Sequence, residues 1–273
     1  MKITKNAVVS IFRRLELLAY SVIFFILFSL FNRINPVLTI MTGFMDMGDT
    51  DLLTNIMTFL QFLLGKDMIL YTVLVFVGAA VFIAPFLGLI LSGFLYTANN
   101  AVSGGIRKKA EFIYGVRNHY VKITIIMVKV ILSSLLFLLF LFTATVPLMA
   151  IFRTAVFSSP SAVIISLFIG VLTTCVLFLG SMFYRIYIGF WIAGAINNAK
   201  KPFANGRKLA DKYFWKVVFA FTFFDVVFVV FHTAMMYFED SIYIFAVKSL
   251  FNTLFYTLFS LYVLSAYAYY KRA

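Results

Sequence analysis

Acidic residues are scarce in this sequence, ten in 273 positions against 23 lysines and arginines, and there is one cysteine and only two histidines. Cys175 lies inside an apolar run, which excludes a disulfide framework or a cysteine zinc site and marks it as a small packing residue. His119 and His232 are far apart and fall on opposite sides of the expected membrane, so a histidine metal site within one chain is not expected. No Gly-rich phosphate loop ending in Lys-Ser/Thr is present, and Ser103-Gly104-Gly105 reads as a flexible turn. A membrane hydrolase would want paired intramembrane carboxylates or a Ser/His set near the interface. Asp225 is the one acid expected at membrane depth. The sequence therefore points away from an enzyme and implies no cofactor.

Apolar residues are what the chain has in excess. It is 63% hydrophobic, 19% aromatic and 12% charged, where a soluble domain carries about 25% charged residues. Its 35 phenylalanines cannot all be a soluble core, because such a chain must still cover its surface with polar groups. The reading is an all-α polytopic integral membrane protein. Six transmembrane helices are predicted, over about 15–32, 68–98, 123–150, 162–195, 217–237 and 242–269, in a single transmembrane domain covering 1–273. The first reads as a signal anchor, preceded by a short amphipathic segment on the membrane surface. Between the first two spans, 52–64 has Thr54, Thr58 and Gln61 at helical spacing against Leu53, Ile56, Met57 and Leu60. It is predicted as an amphipathic helix in the outer interface, too short to span. Pro85 divides an overlong second span, which either kinks there or projects into the cytoplasm.

Charge fixes the orientation. Basic residues cluster in Lys2 to Arg14, Arg107 to Lys122, Lys200 to Lys216 and Lys271-Arg272, while Asp46, Asp49, Asp51, Asp67, Glu239 and Asp240 occupy the opposite gaps. By the positive-inside rule both termini are cytoplasmic, and the expected location is the cell membrane as a multi-pass protein. Apolar runs separate the basic blocks, so the sequence pI of about 9.8 speaks for anionic headgroups on the cytoplasmic side and not for nucleic acid.

An internal echo organises the middle of the chain. The second span ends in GFLYTANNA (93–101) and the fourth in GFWIAGAINNA (189–199). Each is followed by a basic loop with a Phe-x-x-Gly step, Phe112 to Gly115 and Phe203 to Gly206, and then by Tyr120 or Tyr213 before the next span. Two such elbows of like orientation suggest a parallel duplication of helices 2–3 and 4–5, against the alternative of coincidence in a restricted membrane alphabet.

Two groups of residues are candidates for function. Asp225 sits near the middle of the fifth span, with His232 two turns further on the same face; Arg185, Lys129 and Lys248 are the available cations. Together they are either a polar track for an ion, solute or proton, or a structural ion pair with snorkelling lysines. At the elbows, Phe112, Tyr114, Arg117, Tyr120, Phe203, Arg207, Tyr213 and Trp215 suit contact with a partner ATPase or another membrane subunit, or anchoring among lipid headgroups.

The layout resembles the YesL-like six-span proteins of Gram-positive bacteria in its basic start, Phe12-Arg13-Arg14, and in the aromatic-basic elbows Phe112 to Lys122 and Phe203 to Lys216. It is also similar to six-span permease subunits of ATP-driven exporters in size, leading helix and elbow, but its turn between the last two spans is short. These resemblances imply topology and no site residue. The function expected is a membrane-embedded component of a transport system with a separate energising partner; the alternative is a non-transporting scaffold or regulator with a basic cytoplasmic face.

Overall fold

The structure, a computed structural model, describes residues 2–23, 65–66, 68–107, 109–155, 160–197, 201–238 and 242–272. Six helices carry it: α1 (Lys2–Arg13), α2 (Ile69–Val102), α3 (Glu111–Ala155), α4 (Pro160–Ile196), α5 (Pro202–Met236) and α6 (Ile242–Arg272). Of the first predicted span, 16–23 is helical; its remainder and the predicted outer helix 52–64 lie outside the described residues. Among the described residues there is no strand, and five helices, α2 to α6, are long and apolar enough to cross a membrane. Their apolar side chains face outward: Phe82, Phe168 and Phe219 are 78%, 70% and 73% exposed. Such outward apolar faces fit a hydrocarbon solvent and not water.

Two of the helices begin well before the spans expected from hydropathy. α3 starts at Glu111, twelve residues ahead of the predicted 123, and α5 at Pro202 instead of 217. The reason is a buried stripe that does not stop where the charges begin. In α3 it runs Glu111, Gly115, His119, Ile123 and Met127, one residue per turn. In α5 it runs Gly206, Ala210, Val217, Phe221 and Phe224. Basic residues on the opposite faces hide this periodicity from a window average. Pro202 supplies the fixed φ of a first helical turn, and α5 then breaks helical geometry at Tyr213 (φ −117, ψ 16). Pro85 is accommodated inside a continuous α2, and α2, 34 residues long, would measure about 51 Å at 1.5 Å per residue. It is therefore longer than a hydrocarbon core of about 30 Å.

The chain gathers into two compact units, with α2, α3 and α4 contributing residues to both. One comprises 1–29, 85–127 and 185–273. In it α1 packs on α6, burying Ala7 and Ser10. The hydroxyls of Ser21 and Thr257 meet at 2.7 Å. Phe221 and Phe224 of α5 interleave with Phe255, Phe259 and Tyr262 of α6. The other comprises 30–84 and 128–184. There the Tyr184 hydroxyl donates to the Val130 carbonyl at 3.1 Å, its ring stacks on Phe137 at 4.4 Å, and Gly180 leaves room for the Phe140 ring.

Candidate functional site

The first elbow is built by a helix stop. Gly104, at φ 69, lets its N–H and that of Gly105 turn back to the carbonyls of Ala101 and Asn100, a Schellman closure of α2. What reads in sequence as a flexible turn is thus a fixed cap. Eight residues later α3 lays Phe112 and Gly115 against α2. A side-chain carbon at Gly115 would stand 2.6 Å from Tyr96 Cβ and 2.9 Å from the Ser92 carbonyl oxygen, and one at Gly93 would stand 2.6 Å from the Phe112 ring.

The second elbow repeats these contacts. A carbon at Gly206 would stand 2.9 Å from the Phe190 carbonyl oxygen and 3.0 Å from Trp191, and the Phe203 ring lies 5.2 Å from that of Trp191. Ser92 and Phe190 each lie seven residues before the first asparagine of their pair, Asn99 and Asn197. Each Phe-x-x-Gly step therefore seats its glycine on the same turn of the helix before it, and its phenylalanine on the next residue along. Asn198 and Ala199 lie outside the described residues.

These contacts divide the expected elbow residues. Phe112, which also meets Tyr20 at 5.0 Å, and Phe203 turn towards the preceding helix. Tyr213 stacks on Tyr270 at 4.1 Å between Lys212 and Lys216. Tyr120 is half-buried. The exposed ones are Tyr114, Arg117, Arg207 and Trp215; Arg207 leans on Asp211 one turn on, Nε to Oδ2 3.7 Å.

Within the spans, α4 and α5 bring two of the five polar candidates together. Arg185 Nη1 donates to Asp225 Oδ2 at 2.7 Å. The guanidinium lies 5.5 Å from the ring centroids of both Phe221 and Phe259, so its positive face is covered by π clouds while its edge holds the carboxylate. His232 shares the α5 face but turns elsewhere: Nδ1 is 3.0 Å from the Phe228 carbonyl, and its ring sits among Phe228, Phe231 and Phe251. Lys129 is exposed on α3 and Lys248 half-buried on α6, each engaged in contacts of its own. Cys175 is exposed on α4 rather than packed.

Three acids that sequence reasoning passed over hold the basic ends in place. Glu111 accepts from Arg14 Nη2 at 3.2 Å and from Asn100 Nδ2 at 2.7 Å, with both charged side chains almost wholly buried. Glu16 pairs with Arg107 at 2.7 Å, and Asp211 accepts the Tyr187 hydroxyl. Their signal was visible as isolated acids inside or directly beside otherwise basic blocks. Among the described residues no group of three His, Cys, Asp or Glu side chains could hold a metal. Compared with family models, with curated proteins and with solved structures, the chain matches none. Fold and site define a membrane-embedded helical protein.

Proposed function

We infer that the chain is a membrane-embedded component of a transport system, permease-like or accessory, working with a separate energising partner. The observation that carries this reading is the repeated elbow, with the same Phe-x-x-Gly step on the equivalent turn of α2 and α4. It supports a parallel duplication about an axis near the membrane normal, an arrangement found in transporters built from like halves. On a six-span topology in the cell membrane with both termini cytoplasmic, the elbows offer Tyr114 with Arg117, and Arg207 with Trp215, to a cytoplasmic ATPase. The Arg185–Asp225 pair supports a polar element that an ion or solute could open by competing for either partner, with His232, Lys129 and Lys248 as further members of the track.

A non-transporting scaffold or regulator is the second reading. It is favoured by the inward packing of Phe112, Phe203 and Tyr213, which removes three aromatic side chains from any docking surface. Full-length tagged protein extracted in mild detergent separates the two. The transport reading expects an ATPase, identified by mass spectrometry and by ATP hydrolysis, to co-purify, and Arg117→Glu or Arg207→Glu to weaken its retention more at low salt than at high. Recovery of the chain with lipid alone at every salt concentration would favour the scaffold.

A further inference from the structure

Beside the first elbow, three guanidinium groups surround a cavity of about 270 Å³ lined by Arg13, Arg14, Ala101, Gly104, Gly105 and Arg107, with no carboxylate in the lining. Arg14 is only 4% exposed. Its Nη2 is occupied by the Gly105 carbonyl at 3.1 Å and by Glu111, but Nη1 is buried without a hydrogen-bond partner. A Glu16 carboxylate oxygen stands 3.8 Å from Nη1, too far to accept a hydrogen bond. The Arg13 side chain makes no hydrogen bond or ion pair among the described residues, and the Arg107 side chain has committed only Nη2, to Glu16.

A buried, unmatched guanidinium donor on a residue that lines one cavity with two underused arginines calls for a compact anion with several acceptor oxygens. The backbone there does not oppose one. The carbonyls of Asn99, Asn100, Ala101 and Val102, which would give the end of α2 its negative pole, are taken up by Ser103, Gly105, Gly104 and Asn6. Gly104 adds no side chain to the opening, and its φ of 69 lies where glycine is favoured.

We propose that this cavity binds one phosphate group, with Arg14 Nη1 as its deepest donor and Arg13 and Arg107 closing over it. Phe12 and Ile106, directly preceding Arg13 and Arg107 in sequence, are 75% and 88% exposed. Apolar side chains at that position suit acyl chains, which makes a phospholipid headgroup the favoured source of the phosphate over a soluble one. The site rests on the membrane character of the chain and not on a transport role, so its failure leaves the ATPase test untouched.

The test uses full-length protein in detergent, with native mass spectrometry and thermal unfolding as readouts. Phosphatidic acid, phosphatidylglycerol, phosphatidylcholine and inorganic phosphate are added in separate arms. One anionic phospholipid per chain is expected to be retained and protective, with phosphatidylcholine ineffective. Arg13→Gln/Arg107→Gln, both on the surface, is expected to weaken retention about 30-fold, and the charge-matched control Lys201→Gln/Lys208→Gln by less than about threefold. Protection by millimolar inorganic phosphate that is lost in the arginine variant would keep the site and reassign its source to a soluble phosphate. Equal weakening in both double variants, or no preference for anionic lipid and no effect of phosphate, would overturn it.

Discussion

Arg185 and Asp225 satisfy each other across two helices, and that pairing changes what a substitution at Asp225 should do. Removing the carboxylate deprives the guanidinium of its charged partner and leaves it beside the rings of Phe221 and Phe259. Breaking a fully buried pair costs about 3–5 kcal/mol. Here the side chains are 38% and 32% exposed within the protein, so Asp225→Asn should destabilise by about 1–3 kcal/mol. Arg185→Gln/Asp225→Asn should recover part of that loss, as read from a double-mutant cycle of unfolding in detergent; additive losses would show the two residues to be uncoupled. At this scale the sequence singles out Asp225, because a lone acid in an apolar run is costly wherever it points. It could not choose among Arg185, Lys129 and Lys248, since the choice depends on which helices touch. It also joined His232 to Asp225 by spacing, whereas the histidine is held by its own helix and three phenylalanines.

The elements are stitched together by glycines, and their environments predict a graded response. Gly115 and Gly206 each lie against a neighbouring backbone carbonyl, so Gly115→Ala and Gly206→Ala should each cost about 1–3 kcal/mol by overpacking. Gly78 on α2 has nothing within 4 Å of where a side-chain carbon would stand, and Gly78→Ala should be neutral or stabilising by up to about 1 kcal/mol. Thermal unfolding of the three variants checks the ranking; equal effects at Gly115 and Gly78 would dismiss the close seating of the elbow. Phe-x-x-Gly was legible as a repeated string, but not as a helix-packing step. The early starts of α3 and α5 were hidden for a related reason: their buried stripes pass through Glu111, His119 and Gly206, residues that lower hydropathy without interrupting a helical face.

For the whole molecule, membrane character was legible from composition alone, because no arrangement of 35 phenylalanines in 273 residues hides them from water. Orientation can be read from thiol labelling. With Cys175, which is exposed, replaced by alanine, single cysteines at Lys109 and Lys208 should resist a membrane-impermeant reagent in intact cells, and one at Tyr237, 86% exposed between α5 and α6, should react. Labelling at Lys109 or Lys208 would reverse the topology. The division into two units was not legible, since each is assembled from separated stretches and hydropathy carries no information about which stretches meet.

The seat of α1 on α6 joins helices from opposite ends of the sequence. Ser21 and Thr257, which share a hydrogen bond, are 236 positions apart. At a synthesis rate of about 5–20 residues per second, this separation of 236 positions makes α1 wait roughly 10 to 50 s on the ribosome before its partner exists. Through that interval the surface of α1 that α6 will cover, with Ala7 and Ser10 buried in the finished unit, lacks that partner, and α1 can meet only the end of α2 through Asn6 and Val102. Docking of α1 in this unit therefore waits for α6, and the cell's quality control would meet every chain still short of α6 with its α1 undocked from that helix.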